Sequence, residues 1–505
     1  MHQPGEEKLN ATLEKFQRAI PLNELYEFST TALDRLGIPL CCVAAWTDEN
    51  VYYDGFGYGA GEAGAKIGAW GEIMESYFAD KFICRAPRIV ASFNQLKAQN
   101  RNCVEPPLFC LNAGGNYSPD REIIWIEVNN FSGRGDGKTL APLESVAVYP
   151  AHAAEIEPEN LLFRPITNGL GAGASLAQAV AHGALEIVQR DGNCLTFRAM
   201  DIGQRIELDE VKSAETSELL AFLDAEGIEI IPKLAGVVAG IPVIYVVGYD
   251  RDLSRAEFSM QISACGEAAH PDREIALNKA LREYISGRAR KHFMHGTLDK
   301  LARVAPAAYV EKMAAEDIGG QENRALEAVI EWATATNEEV FKKIEKPILE
   351  SRSVIKFSEL PTTEFAEGDW EAILVHLQKQ FASIGTEILY ADFSGNAPDG
   401  IYVARAIVPQ MEGETMSYGR IGRRNLERLL ERQKADERIG KLVGFGEDVK
   451  PETALPIHLT DKDALDYPNA WLDPAAVVGQ VGEFYALYRE PESFAVGRAL
   501  RDRKD

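Results

Sequence analysis

The feature that most constrains the fold is a glycine-rich turn that runs directly into a helix-forming segment, at residues 168–191. Gly169, Gly171 and Gly173 allow the backbone to approach another group closely, and Ser175 is a suitable N-cap for the helix. Free N–H groups at such a helix start favour an anion. The segment points to phosphate chemistry, although a capped surface helix is the commoner outcome of this pattern.

Acidic and basic side chains follow two turns into the same segment. Glu186, Gln189 and Arg190 are three and four residues apart, so they share one helix face. On that face a carboxylate can hold Mg²⁺ and a guanidinium can bind a phosphate oxygen. His182, one turn earlier, is expected either to orient a carboxylate or to pack in the core.

Two other segments repeat this combination. Residues 61–77 lead from glycines into a helix-forming run with Glu72 and Glu75, and residues 268–288 predict a third acidic and basic helix with Glu283. Small residues recur in all three segments, as close helix packing requires. We therefore expect three carboxylate-bearing helices to surround one nucleotide.

These segments, in this order, resemble the YcaO family, whose members are ATP-dependent enzymes that modify peptide backbone amides. The resemblance begins at residues 33–40, includes the three helices and residues 240–243, and ends with residues 406–410 and 419–423. It covers about four fifths of the chain. The resemblance implies an α/β (mixed α+β) fold of several subdomains that enclose a nucleotide, with ATP and Mg²⁺ as cofactors.

The resemblance also assigns site residues one by one. The glutamates that match the family pattern, and are expected to hold magnesium, are Glu72, Glu75, Glu186 and Glu283. The residues expected to bind the nucleotide are Lys66, Ser175, Gln189, Arg190, Ser286 and Arg288. No catalytic residue beyond these is assigned.

Three positions depart from the family pattern. Ser76 replaces an arginine of the first helix, Gln189 replaces a glutamate of the second, and Ser286 replaces a glutamine of the third. Restoring a glutamate at Gln189 is expected to raise magnesium affinity, because an added carboxylate attracts a hard cation. The same departures support a second interpretation, a degenerate family member that binds a peptide or partner without turning over ATP.

By resemblance, an active enzyme would phosphorylate a peptide-bond oxygen, so that this oxygen leaves as phosphate after a nucleophile attacks the amide carbon. The product would be an azoline, a thioamide or an amidine. Residues 498–505 lack the proline-rich tail of many azoline-forming members, which favours a thioamide or another non-azoline product.

Partners are also implied by the resemblance. The expected substrate is a precursor peptide or protein. Because the resemblance begins within the first ~40 residues, no fused leader-binding domain is expected, and a separate leader-peptide-binding or TfuA-like protein is the predicted partner. A homodimer is a further option.

Composition and charge narrow the class of protein. A net charge of −24 argues against a nucleic-acid surface, which needs clustered Lys and Arg. The first residues lack a signal-peptide pattern, and no run of about eighteen apolar residues occurs, so we expect a cytoplasmic protein without membrane contact. The seven scattered cysteines suit reduced core thiols.

Local patterns predict individual elements and a division of the chain. Residues 6–27 read as one amphipathic helix, and residues 322–346 as one long surface helix. The predicted strands are 41–46, 123–128, 228–232, 243–248 and 401–408. The predicted domains are an N-terminal helix at 1–28, a YcaO-like domain at 29–443 and a C-terminal helical extension at 444–505.

Overall fold

The computed structural model describes residues 4–132, 137–315, 323–488 and 493–502 of the 505-residue chain. Helices and strands alternate in these residues, which confirms the predicted mixed α/β class. The strands are β1 (Leu22–Ser29), β2 (Leu40–Thr47), β3 (Tyr52–Tyr58), β4 (Ile89–Ser92), β5 (Glu122–Asn130), β6 (Lys138–Pro142), β7 (Leu170–Gly173), β8 (Gln204–Glu207), β9 (Ile228–Val238), β10 (Ile241–Asp250), β11 (Cys265–Ala269), β12 (Ser353–Lys356), β13 (Leu389–Asp392), β14 (Tyr402–Ile407), β15 (Val443–Gly444), β16 (Leu455–Pro456) and β17 (Trp471–Leu472).

The helices range from single turns to elements of six turns. They are α1 (Pro4–Ala19), α2 (Glu62–Ile83), α3 (Phe93–Ala98), α4 (Leu143–Val146), α5 (Leu176–Arg198), α6 (Ala214–Ala225), α7 (Arg273–His295), α8 (Leu298–Leu301), α9 (Ala307–Ala315), α10 (Asn323–Thr334), α11 (Asn337–Ile344), α12 (Trp370–Ser383), α13 (Arg423–Ala435), α14 (Asp461–Asp466), α15 (Pro474–Val481), α16 (Tyr485–Tyr488) and α17 (Ala495–Asp502). None of the helices in the described part of the chain is long and apolar enough to cross a membrane.

The strands form four sheets. One has the order β1-β2-β3, a second β11-β10-β9-β8-β12, a third β4-β5-β13-β14-β7 with β6 beside β5, and a small one β15-β17-β16. All pairs are antiparallel except β8 with β12. The five strands predicted from apolar and β-branched runs are confirmed as β2, β5, β9, β10 and β14.

The predicted helix at residues 6–27 is wrong in its second half. Helix α1 ends at Ala19, and β1 begins three residues later and pairs with β2. Pro21 explains the break, because a proline disfavours helical backbone at the preceding residue and cannot donate a helix hydrogen bond. Pairing with β2 then outweighs the loose helical spacing of the apolar residues.

The predicted long helix at residues 322–346 is also wrong. Residue 322 lies outside the described residues, and the rest divides into α10 and α11. Thr336 ends the continuity: its hydroxyl accepts from the backbone N–H of Glu339, whose carboxylate accepts from the N–H of Thr336. This reciprocal cap starts a new helix. Trp332 is 1% exposed, so this region is not a plain surface helix.

The C-terminal region is less helical than expected. Its strands β15, β16 and β17 form the small sheet. Helix α15 contacts α5, α16 contacts α10, and α17 contacts α7 and α10. Trp471 and Tyr485 are buried, whereas the side chain of Tyr488 lies outside the described residues. The division at residues 28 and 443 stays a prediction.

Three strand–helix units organise the centre of the molecule: β3 with α2, β7 with α5, and β11 with α7. Each of these strands is an edge strand of its own sheet. Each helix also contacts the strand of the next unit, α2 against β7, α5 against β11, and α7 against β3. The three units therefore close a ring of contacts.

Glycines on the strands permit this packing. In each unit the helix backbone lies so close to the strand that a side chain on the glycine would collide with a carbonyl oxygen, as the prediction of close packing implied. A Cβ atom would lie 2.0 Å from the Ala65 oxygen at Gly57, 2.1 Å from the Ala179 oxygen at Gly171, and 2.1 Å from the Ala280 oxygen at Gly266.

Candidate active site

The same hydrogen bond occurs in all three units. A glutamate on the helix accepts a hydrogen bond from a backbone N–H in or beside its own strand, 16 or 17 residues earlier. The bonds are from Phe56 N to Glu72 Oε2 (2.9 Å), from Gly169 N to Glu186 Oε2 (2.7 Å) and from Glu267 N to Glu283 Oε2 (3.0 Å). Each unit therefore holds one carboxylate at an equivalent place.

Contacts between units add to this arrangement. Glu75 on α2 accepts a backbone hydrogen bond from Ala172 on β7, which belongs to the second unit. Arg190 on α5 donates to Glu186 Oε1 (3.2 Å) and to Glu267 Oε2 (3.3 Å), which belongs to the third. The structure thus brings the predicted glutamates of all three helices together with Arg190.

Three of these glutamates have raised pKa values, although Glu72 is exposed and Glu75 and Glu283 are only half-buried. Removal from water raises the pKa of Glu72 to about 7 and that of Glu283 to about 7. It also raises the pKa of Glu75 well above its ordinary value, and the charges of Glu186 and Glu72 raise it further. Carboxylates that are crowded in this way favour a bound cation.

The set of donors fits magnesium in company with a nucleotide. Carboxylate oxygens are hard ligands of the kind that Mg²⁺ prefers. Within residues 4–132, 137–315, 323–488 and 493–502, however, no group of three or more Asp, Glu, His or Cys side chains is arranged so that it could hold a metal ion. Magnesium commonly uses one or two carboxylates together with substrate phosphates and water, which matches this spacing.

Lys279 is a cation of the site that the sequence analysis missed. It lies on α7, one turn before Glu283, and desolvation lowers its pKa while the charges of Glu283 and Glu186 oppose that shift. Its spacing of four residues from Glu283 was a signal that could have identified it. Lys279 adds positive charge beside the carboxylates, as a phosphate requires.

His182 is unsuited to hold an anion by charge. Desolvation, followed by the charge of Lys279, lowers the pKa of His182 to about 4, so the ring is neutral near pH 7. The residue is nevertheless exposed, so it does not lie in the packed core. Of the two expected roles, the structure therefore excludes the packed core residue.

Arg288 does not lie at the site, which corrects its predicted contact with the nucleotide. Its side chain is 0% exposed, donating from Nε to Asp34 (2.7 Å) and from Nη1 to Asp250 (2.8 Å). It follows Glu283 by five positions, and at 3.6 residues per turn this places it about 140° around the helix. Arg288 is a structural residue that joins α7 to β10.

Three other residues predicted to bind the nucleotide, Ser175, Lys66 and Ser286, are each engaged differently. Ser175 caps α5, accepting from the N–H of Gln178 at 3.1 Å, as expected of an N-cap. Lys66 forms an ion pair with Glu27 at 2.8 Å on β1, so a phosphate contact would require that pair to break. Ser286 is buried one turn after Glu283. For all three, the contact with ATP stays a prediction.

Two further residues belong to this description, the departure at Ser76 and the unpredicted Glu267. Ser76 accepts a hydrogen bond from the hydroxyl of Tyr149 at 2.7 Å, which is a role in packing. Glu267 accepts a hydrogen bond from Arg190. It was not identified from the sequence, because only the fold places β11 beside α5. Neither residue could be assigned from its spacing along the chain.

Magnesium affinity should depend on pH. Glu72 and Glu283 have pKa values raised to about 7, so they hold protons below that pH, and Mg²⁺ must displace those protons to bind. We expect the affinity for Mg²⁺ with nucleotide to fall as the pH is lowered through 7, with protons released on binding. Calorimetry in buffers of different ionisation enthalpy measures this release. The variant Glu72→Gln should release fewer protons, and an unchanged release would contradict the assignment.

Comparisons with known proteins agree with this arrangement. A family model described as YcaO cyclodehydratase, ATP- and Mg²⁺-binding, matches residues 56–412. An uncharacterized protein of Methanothermobacter thermautotrophicus is 27% identical over 401 residues, which are 78% of this chain and 91% of that protein. The family description includes ATP and Mg²⁺, which confirms the cofactors expected from the sequence.

One solved structure with the same fold is YcaO from Methanopyrus kandleri bound with AMPPCP and Mg²⁺. Its sequence is 18% identical, the TM-score is 0.55, and the alignment covers 83% of this chain and 93% of that one. A heterocyclase in complex with substrate and cofactor has 17% identity and a TM-score of 0.57, covering 80% of this chain. This chain spans only 52% of that heterocyclase. At such identities the likeness concerns the fold alone.

The family match includes the centre of the ring. Residues 56–412 contain Phe56, the helices α2, α5 and α7, and with them all four predicted magnesium ligands. The match extends over more than half of the chain. The protein therefore belongs to the YcaO family.

Proposed function

We propose that the protein is an ATP- and Mg²⁺-dependent enzyme that phosphorylates the oxygen of a peptide-backbone amide. The observation that carries the proposal is the ring of three units, which gathers carboxylates from α2, α5 and α7 around Arg190 and Lys279. Carboxylates suit magnesium, and the two cations suit phosphate oxygens. A plain peptide-binding protein would not require both sets of charges side by side.

The chemistry explains why both sets are needed. An amide is a poor electrophile, and a phosphoryl group transferred from ATP to its oxygen supplies a good leaving group. Magnesium would be held by one or two carboxylates from among Glu72, Glu75, Glu186 and Glu283, and it would offset charge on the phosphates. Glu186 and Glu267 fix the guanidinium of Arg190 from two sides, so that it faces the site with little loss of conformational entropy.

The substrate proposed is a ribosomally made peptide or a protein. Its support is the family itself, whose model is described as a cyclodehydratase that binds ATP and Mg²⁺. Attack by a neighbouring side chain would give an azoline, and attack by sulfide a thioamide. A separate leader-peptide-binding or TfuA-like protein remains the predicted partner.

Co-expression with a candidate precursor peptide and mass spectrometry test this proposal. We expect the peptide to lose one water if an azoline forms, or to exchange an oxygen for a sulfur if a thioamide forms. An amide labelled with heavy oxygen should transfer that label to the released phosphate, because the amide oxygen is the one phosphorylated. Release of unlabelled phosphate alone would contradict amide activation.

The degenerate alternative predicts a different combination of results. It requires binding of magnesium and nucleotide, or of a peptide, with no phosphate release in the presence of any precursor. The variant Glu283→Gln serves as the inactive reference for the phosphate measurement. A wild-type rate of phosphate release equal to that of this variant would favour the alternative.

A further inference from the structure

The contact between the second and third units has the opposite hydrogen-bond polarity to the contact between the first and second. Helices α2 and α5 both carry a polar pair with a spacing of three residues, Glu72 with Glu75 and Glu186 with Gln189. In the first pair, Glu75 accepts a hydrogen bond from the next strand, β7. In the second, Gln189 donates to a carboxylate on the next strand, Glu267 of β11 (3.3 Å).

Glu267 gathers three donors on one oxygen. Its Oε2 accepts from Gln189 Nε2 (3.3 Å), from Arg190 Nη1 (3.3 Å) and from Asn193 Nδ2 (3.1 Å). These donors all lie on one face of α5. The other oxygen, Oε1, accepts none of these three bonds, and the side chain is 16% exposed. Glu267 is therefore bound on one side and retains a second oxygen for another group.

We infer that Glu267 supplies, from strand β11, the carboxylate that α5 lacks at Gln189, and that it positions Arg190 and adds negative charge beside the magnesium site. This inference rests on the proposed function, because it assigns Glu267 to the same magnesium and nucleotide site. The role of Glu267 depends on the residue at 189, because a glutamine there can donate to Glu267, whereas an ionised glutamate cannot.

Two observations separate this role from a merely structural one. The backbone N–H of Glu267 bonds Glu283 whatever its side chain is, so removing the side-chain charge leaves β11 attached to α7. The carboxylate of Glu267 also accepts from Arg190 (3.3 Å), which donates to Glu186 (3.2 Å), so its charge is linked to a predicted ligand of the site through one guanidinium. The side chain therefore contributes charge and orientation beyond what holds the strand in place.

The structure also changes the expectation for Gln189→Glu. That substitution would place a second carboxylate at the hydrogen-bond distance of 3.3 Å from Glu267. Two carboxylates at such a distance cannot both ionise readily. We now expect Gln189→Glu alone to weaken magnesium binding, in contrast to the gain expected from the sequence.

A double-mutant cycle tests the inference directly. Its members are the wild type, Glu267→Gln, Gln189→Glu and the exchange Gln189→Glu with Glu267→Gln. Calorimetry with AMPPNP, with and without Mg²⁺, gives the magnesium-dependent affinity of each. We expect each single variant to bind about tenfold more weakly, and the exchange to recover most of that loss, because residues in one network couple by amounts of this order.

The affinities of these variants either support or overturn the role assigned to Glu267. Wild-type affinity in Glu267→Gln, or an exchange variant that is weaker than both single variants, would overturn the inference. Glu267→Asp keeps the charge and should retain more of the magnesium dependence of nucleotide binding than Glu267→Gln. A merely structural role predicts that both variants lose the same amount of melting temperature and that neither changes the magnesium dependence. If the wild type itself binds no nucleotide, the proposed function fails, and the inference with it.

Discussion

Glu186→Gln and Glu283→Gln should each reduce magnesium-dependent nucleotide binding by about 100-fold or more while leaving the fold intact. A glutamine keeps an oxygen that can accept from Gly169 N or Glu267 N, so the bond between strand and helix persists. What is removed is the negative charge that faces magnesium. The effect is thus expected in binding and not in stability.

Calorimetry with AMPPNP and Mg²⁺ measures this loss, and a thermal melt without nucleotide tests the fold. Glu218→Gln is the matched control, because Glu218 is an exposed carboxylate on α6, which is outside the three units. It should bind as the wild type does. Wild-type affinity in Glu186→Gln or Glu283→Gln would contradict the assignment of the metal site.

Gly183→Ala should destabilise the protein by about 3 kcal/mol or more, because overpacking forces backbone to move. A Cβ at Gly183 would lie 2.0 Å from the carbonyl oxygen of Gly169. Helix α5 would therefore have to separate from β7. Since Gly169 also donates to Glu186, the substitution should weaken nucleotide binding as well.

Gly71→Ala is the control for this prediction. Gly71 also lies within a helix, α2, but a Cβ there meets no atom within 4 Å. Its replacement should stabilise the protein by about 0.5–1 kcal/mol through reduced backbone entropy. Urea unfolding compares the two variants. Equal stability of Gly183→Ala and Gly71→Ala would show that the close approach of α5 to β7 is not required.

Much of the fold was predictable, because buried strands and capped helices leave local signals. The strands at β2, β5, β9, β10 and β14 follow from apolar and β-branched runs. The failures at β1 and at the α10–α11 break have the same cause. A loose helical period in the apolar residues was outweighed by local chemistry at Pro21 and Thr336, and by sheet pairing that the sequence does not display.

The candidate site was predictable where its residues lie on helices. Glu72, Glu75, Glu186 and Glu283 were expected near one another, and the structure brings them together. Arg288 was assigned from its motif alone, although its angle around α7 points it away from Glu283. Residues that meet across strands, above all Glu267 with α5, could not be found, because their proximity depends on the tertiary packing of edge strands.

The ring arrangement also explains why equivalent glycines and glutamates recur along the chain. Each helix must lie against a glycine of its own strand and must also contact the next strand. Both contacts involve the same few turns of each helix, so small residues and carboxylates appear together in the three segments. The recurrence is therefore a consequence of packing and charge at one site, which the three units share.

Crystals grown with AMPPNP and Mn²⁺ in place of Mg²⁺ test the central claim most directly, because both ions prefer oxygen ligands in octahedral geometry and manganese gives an anomalous signal. We expect anomalous density at the centre of the ring, in contact with carboxylates from at least two of α2, α5 and α7 and with nucleotide phosphates. Manganese and nucleotide bound elsewhere, with the four glutamates free of both, would contradict the account.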